Sequence, residues 1–436
     1  MDKPPQDASA DFPPPTGLAL ASLVVGIAAL GLSFILVGFL IGLVGVGLGL
    51  AYLAKKRGPK TMARWGVVLS CLGVVASLGF AALYYHYFQL MKGSFAAGTA
   101  TPTGALAAPA PLPASASLLK SNLVWSVPIP TAMAVCVGDW ESDGSARVLV
   151  ADGSSLHVLD MSGVEKATLT LPQGLTAIEC GRSKTAGARL LGYTVWGNNV
   201  SVIDHAGKVL WSKNAGSGVD GAHWGDLDGD GNDEMVLSMN GFGGLRALSG
   251  DGKKLWSASI LNVWSAAIIP RATNGAALVL ATDASGSVNV FDASGQRLNS
   301  LRPEGGYYTG VAAGMTESNT VQILAFCQTG AATAFDLTGK VAWITSSTSG
   351  TTGAAVTADL AAMGDFVGDG AKEWAFIDGT GDIVIATTSG QKIASVPLKG
   401  AGPGISQGFA TAPRAGQGCL LVILDGGVVK AYSFGR

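Results

Sequence analysis

Two patterns of hydrophobic and polar positions divide the chain. From Gly17 to Ala54 there is no charged residue at all, and a second apolar run extends from Trp65 to Phe88. After about residue 121 the apolar residues come in short runs rich in Val, Leu and Ala, separated by Gly, Asp and Ser. Long uncharged runs predict helices in lipid. Short runs punctuated by turn residues predict an all-β region.

The first run holds 38 residues. As one helix it would measure about 57 Å at 1.5 Å per residue, while a bilayer core is about 30 Å thick. It is therefore divided either into two short spans by a turn near Ser33 to Gly38, or it forms one long tilted helix. Two or three helices are expected over 17–92. The spacings Gly38/Gly42 and Gly45/Gly49 suit close helix packing. Lys55, Lys56, Arg57, Lys60 and Arg64 lie between the runs and mark a cytoplasmic loop. Trp65 at one end of the last span and Tyr84, Tyr85 and Tyr87 at the other would form its aromatic belts. The last helix then leaves the cytoplasm, so everything beyond about residue 90 is expected outside. Residues 1–16, rich in Pro and Asp, read as a disordered tail. Residues 93–120, rich in Ala and Pro, read as a tether.

From 121 to 436 one unit repeats. It opens on a turn, continues through strands such as EMVLSMN and GLRALS, turns again, and closes on a strand such as KKLWS. The openings fall at Gly138, Gly181, Gly225, Pro270, Gly314, Gly364 and Pro413, with spacings of 43, 44, 45, 44, 50 and 49. Seven units of this period predict a seven-bladed β-propeller of four-stranded blades. Closing strands recur at Gly207–Ser212, Gly252–Ser257, Gly295–Ser300, Gly339–Ile344 and Gly390–Ser395. The last unit lacks one, and SNLVWS matches it from the start of the domain. Strand 121–128, with Trp125, is thus expected to close the ring as the outer strand of the last blade. A solenoid is the other reading, but it leaves that displaced strand unexplained. The recurring Trp125, Trp211, Trp256 and Trp343 are expected to pack between blades rather than to stack on a ligand.

Composition then excludes some functions. A net charge of −2 gives no basic face for nucleic acid. Cys71 lies in an apolar run; Cys136, Cys180, Cys327 and Cys419 occupy strand-like positions without metal spacing. They read as buried small hydrophobes, although Cys136 and Cys180 precede the same landmark and could pair. His157, His205 and His223 stand apart from any nucleophile motif, so no catalytic residue is assigned.

The candidate chemistry lies in DLDGDGNDE, from Asp226 to Glu234. Asp226, Asp228, Asp230 and Glu234, with Asn232, offer the oxygens that calcium takes six to eight at a time. Gly229 and Gly231 permit the sharp turn. The alternative is an ordinary Asp/Gly hairpin. An EF-hand is excluded, since Leu237 stands where a bidentate Glu is needed. Two degraded copies follow the same plan. One keeps Asp365, Asp369 and Glu373 but has Val367 at the third position. The other keeps Asp139, Glu141 and Asp143 but ends on Arg147.

On these residues the domain resembles the FG-GAP/VCBS class of β-propeller, and its closing strands are similar to those of quinoprotein-like propellers. The resemblance implies structural calcium on Asp226, Asp228, Asp230, Asn232 and Glu234. The runs SLVVGIAALGL, GLGLAYLAKKR and RWGVVLSCLGVV resemble a small bacterial membrane domain that precedes secreted or periplasmic modules. The expectation is a bacterial plasma-membrane protein whose propeller, on the periplasmic or extracellular side, is a calcium-stabilised scaffold or adhesion module for a protein or glycan partner. The alternatives are a quinoprotein-like or channel-sited enzyme, and a structural subunit of a larger membrane complex.

Overall fold

The computed structural model describes residues 37–54, 60–97, 118–184, 187–270, 276–327, 331–345, 361–378, 381–398, 408–414 and 417–435. The expected tail 1–16, the beginning of the first apolar run, the cations Lys55 to Arg57 and most of the tether lie outside the described residues. The chain divides into two units, Met1–Gly93 and Ser94–Arg436.

The first unit contains two described helices, α1 (Val37–Leu53) and α2 (Thr61–Ala97). Both are apolar around most of their circumference, so Leu40, Val44, Leu72 and Val75 stay exposed on the outside of the pair. Stretch Ala63–Ala82 of α2 is 20 residues long and apolar enough to cross a membrane. The helices meet at Gly42, where a Cβ would lie 2.7 Å from the Val74 side chain and 3.0 Å from the Ser70 carbonyl. Only a residue without a side chain allows that approach, which is the logic of small residues at helix contacts in lipid. Helix α2 continues to Ala97, past residue 93 where the sequence suggested a tether.

The second unit is a ring of seven four-stranded antiparallel sheets. Blade 1 comprises β2 (Ala134–Gly138), β3 (Arg147–Ala151), β4 (Gly153–Leu159) and β5 (Glu165–Leu175). Blade 2 comprises β6 (Ala177–Gly181), β7 (Arg189–Tyr193), β8 (Asn199–Asp204) and β9 (Val209–Asn214). Blade 3 comprises β10 (Val219–Gly225), β11 (Glu234–Met239), β12 (Gly244–Leu248) and β13 (Lys254–Ala258). Blades 4, 5 and 6 repeat the plan with β14–β17, β18–β21 and β22–β25, from Ala266 to Val396. In blade 7, β26 (Phe409–Arg414), β27 (Gln417–Asp425) and β28 (Val428–Gly435) are completed by β1 (Lys120–Pro128), which pairs antiparallel with β28. The first strand thus closes the ring, leaving short, protected edges.

The core lies between blades rather than within them. Seven apolar clusters each join side chains of two neighbouring blades, the last uniting blades 7 and 1 through Leu159, Val422 and Ala431. A middle strand such as β11 is buried at every position, because both of its faces meet a neighbouring blade. That burial explains its continuous apolar sequence. The outer strand β13 is mostly exposed.

The cysteine reading needs correction. Cys136 and Cys180 are not separate buried thiols. They form a disulfide that joins β2 of blade 1 to β6 of blade 2, with Cα atoms 6.0 Å apart. The innermost strands of adjacent blades run side by side there, which brings two residues 44 apart in sequence into bonding range.

Candidate functional site

The acidic loop joins β10 to β11, at one end of blade 3. Asp226 is buried and fixes the loop backbone: its Oδ1 accepts from Gly229 N (2.7 Å) and its Oδ2 from Gly231 N (3.1 Å). Both glycines have positive φ, 83° and 87°, and so can turn their amides inward. Glu234, also buried, accepts from Leu227 N at 2.9 Å. Oxygens of Asp226, Asp228 and Glu234 all lie within 4.8 Å of one another.

Asp230 and Asn232 have other partners. The Asp230 carboxylate accepts from Asn232 N (2.7 Å) and from the Asn232 side-chain amide (3.0 Å). The Asn232 side-chain oxygen accepts from Ser183 Oγ of blade 2 at 2.8 Å. Asp233, absent from the expected ligand set, accepts from Arg182 N at 2.8 Å and clasps blade 2.

Three converging carboxylates repel one another: among the described residues none of the three is ion-paired, and Lys184 donates instead to the Asp230 carbonyl (3.2 Å). Burial, with Asp228 and Asp230 adding to it, pushes Glu234 up to about 7. A hard divalent cation fits this donor set, since it would neutralise the repulsion with oxygen ligands alone. The degraded loop of blade 1 illustrates the same demand: Arg147 ion-pairs with both Glu141 and Asp143. The protein itself supplies the cation there. In blade 6, Asp365 accepts from Gly368 N (2.6 Å) and Gly370 N (3.0 Å), and Glu373 accepts from Phe366 N (2.8 Å). The backbone cradle is the same, Asp369 only caps Ala371 N, and Val367 contributes no oxygen. What sets the third-blade loop apart is Asp228.

A second feature lies at the opposite end of blade 3. It is built by the β7–β8 loop, the β9–β10 connection and the β11–β12 turn. These form a cleft of about 660 Å³ lined by Trp196, Gly216–Gly218, Asn240–Gly243 and Arg246. Trp196 is 71% exposed and Phe242 is 91% exposed. The walls are tied together by backbone bonds: Trp196 N to Val219 O (2.8 Å), Val219 N to Gly197 O (2.9 Å) and Asn240 N to Gly218 O (2.8 Å). Trp196 sits at φ 64°, a conformation disfavoured for a bulky residue. Arg246 donates from Nη1 to Ala215 O at 2.6 Å, while its Nε is buried without a partner. The signal in the sequence was two aromatics, in WGNN and GFGG, placed outside the repeated Trp position.

The central channel is narrower, about 240 Å³, and is lined mainly by apolar side chains of the inner strands. Glu179 and His223 meet there at 3.7 Å, and no Ser, Thr or Cys stands among the described lining residues.

No protein-family model matches the chain, and no curated protein matches it in sequence. Solved structures share the fold. BBS1N in complex with ARL6DN aligns with a TM-score of 0.53 at 10% identity, over 74% of this chain and 97% of that one. Streptogramin B lyase aligns with a TM-score of 0.52 at 13% identity, over 73% and 98%.

Proposed function

We propose that the chain is a bacterial plasma-membrane protein whose extracytoplasmic propeller binds a protein or glycan partner and is stiffened by calcium in blade 3. The FG-GAP/VCBS likeness of the acidic loop belongs to this reading. The observation that carries it is the cleft rimmed by exposed Trp196 and Phe242. Large aromatics held in the open by a tied backbone are the usual anchors of recognition surfaces. The fold does not decide between binding and catalysis, for BBS1N is found with a protein partner and the lyase is by its name an enzyme. In this chain the exposed aromatics favour binding.

Helix α2 supports the membrane anchor by its 20-residue apolar stretch. The Cys136–Cys180 disulfide supports an oxidising, extracytoplasmic setting. The convergence of Asp226, Asp228 and Glu234 supports calcium.

The test is affinity capture from native membranes with the tagged full-length chain, its Phe242→Ala variant, and each of them with chelator. The expected result is a partner retained by the wild type in calcium and lost with Phe242→Ala. Identical capture by both chains would sink the reading.

A further inference from the structure

The cleft between blades 2 and 3 carries a more specific reading, which rests on the proposal that the propeller is a binding module. We infer that it takes a glycan, stacking a sugar ring against Trp196 and Phe242 and receiving that ring's carboxylate at Arg246.

Size comes first. A concavity of about 660 Å³ suits a compact ligand, whereas a protein partner needs a surface of roughly 800 Å² per side. The lining chemistry comes next. Two aromatic faces are presented to solvent, and the rest of the wall is Gly, Ser, Asn and Arg. Flat apolar faces beside polar groups complement a sugar ring, which has apolar C–H faces and a rim of oxygens. Four of the lining residues are glycines, so a ligand can approach the backbone closely.

Charge then narrows the class. Among the described residues Arg246 is the one charged side chain in the lining, and no acid lines the cleft beside it. Asp220 adjoins Asn240 but is not a lining residue. With Nη1 tied to Ala215 O and Nε buried, the guanidinium is held in place along the cleft wall, and its charge and its remaining nitrogen are matched by a carboxylate. An acidic sugar brings that group on the same ring whose face the aromatics cover.

The walls are set in advance. The Trp196–Val219, Asn240–Gly218 and Asn262–Gly241 backbone bonds link four successive connections, and Ser217 Oγ donates to Asn240 O at 2.8 Å. A rim fixed before binding loses less entropy when the ligand arrives. The cleft and the acidic loop lie at opposite ends of blade 3, so ligand binding here does not use the cation site directly.

The experiment is a binding assay of the full-length chain in detergent with calcium. The probes are a panel of immobilised uronate-bearing oligosaccharides and their carboxyl-reduced counterparts. Wild type, Trp196→Gly, Phe242→Ala and Arg246→Gln are compared. Glycine accepts the φ of position 196 and Phe242 is almost fully exposed, so both of those variants should fold. Retention on at least one uronate-bearing sugar is expected. A loss of tenfold or more is expected with Trp196→Gly, with Phe242→Ala and on the reduced sugar. Arg246→Gln should bind the acid and its reduced form equally. Binding to no sugar, or binding that ignores the three substitutions, overturns the assignment. A protein captured from membranes through Phe242, with no sugar bound, overturns the glycan assignment while leaving the binding module standing.

Discussion

The indole nitrogen of Trp211, on the outer strand of blade 2, donates to the carbonyl of Gly250, in a turn of blade 3, at 2.9 Å. The ring lies against Gly252, where a Cβ would come within 3.0 Å of it. The same contact recurs around the ring: Trp125 to Met161 (2.9 Å), Trp256 to Ala293 (2.8 Å) and Trp343 to Thr388 (3.0 Å). Each time a glycine at positive φ, namely Gly163, Gly295 or Gly390, makes room for the indole. One blade's closing strand is thus latched to the next blade's outer turn, and Trp125 latches the last blade to the first.

Breaking one latch should cost measurable stability. Trp211→Phe keeps most of the packing but loses the hydrogen bond, at about 1 kcal/mol. Trp211→Ala also opens a cavity and should cost about 3 kcal/mol. Denaturant unfolding of both variants checks this; a Trp211→Phe variant as stable as the wild type would show that the indole N–H contributes nothing.

The disulfide closes a loop with a sequence separation of 44 between the first two blades. Chain-entropy reasoning gives it about 4 kcal/mol. Reduction, or a Cys136→Ala/Cys180→Ala double change, should lower the melting temperature of the propeller. An unchanged melting curve after reduction, verified by thiol counting, would contradict the assignment.

The acidic turns set an acid limit. At Asp292 burial opposes ionisation, but the Ser294 hydroxyl and the amides of Gln296, Ser294 and Gly295 outweigh it and hold the carboxyl below its ordinary value. Asp336 is held down in the same way by Thr338 and Lys340. A depressed carboxylate stabilises the fold above its unfolded pKa of about 3.9, and this is lost as pH falls through the folded value. Asp220 acts in the opposite sense: burial raises it to about 6, against the influence of Asn240. Its contribution is present at pH 4 and lost as pH rises through about 6. Asp220→Asn should therefore melt higher than wild type at pH 7.5, by on the order of 1–3 kcal/mol, with the difference closing by pH 4. Parallel curves at both pH values would contradict the shift.

Calcium should depend on Asp228 in particular. Asp226 and Glu234 also hold the loop backbone, so their removal confounds folding with binding. Asp228→Ala removes an exposed carboxylate and its one bond to Asp230 N (3.1 Å), and leaves the bonds of Asp226 and Glu234 that form the cradle. Calorimetry on the wild type should give saturable binding at about 10⁻⁴–10⁻³ M, as for extracellular sites. Asp228→Ala should abolish it with the fold intact. No heat from the wild type at millimolar calcium would remove calcium from the account.

The propeller was readable because most blades place turn glycines at the same positions and four of them place a Trp on the closing strand. The turn glycines and the closing Trp recur at blade period, and the displaced SNLVWS pointed to the closing strand. The innermost strands were harder to see. Segments such as AAII (Ala266–Ile269) are short and carry no turn mark, and the landmark residues, here Pro270, fall at their ends. Units counted from those landmarks were cut inside the blade. The disulfide stood only as an alternative for the same reason, since choosing it over two buried thiols needs the lateral register of two inner strands. Spacing offers Asp230 and Asn232 on the same footing as Asp226 and Asp228 and says nothing of their hydrogen bonds. Their bonds to each other and to Ser183 depend on the neighbouring blade, which a motif does not contain. Trp196 and Phe242 were hidden because they belong to no repeat.

The most direct test of the binding account is photo-crosslinking in native membranes. A photoreactive amino acid replaces Phe242 at the cleft rim in one protein and Leu255, half-exposed on an outer strand, in another. The account predicts a discrete light-dependent adduct from position 242 and none of the same size from 255. No adduct from 242, or the same adduct from both positions, would contradict it.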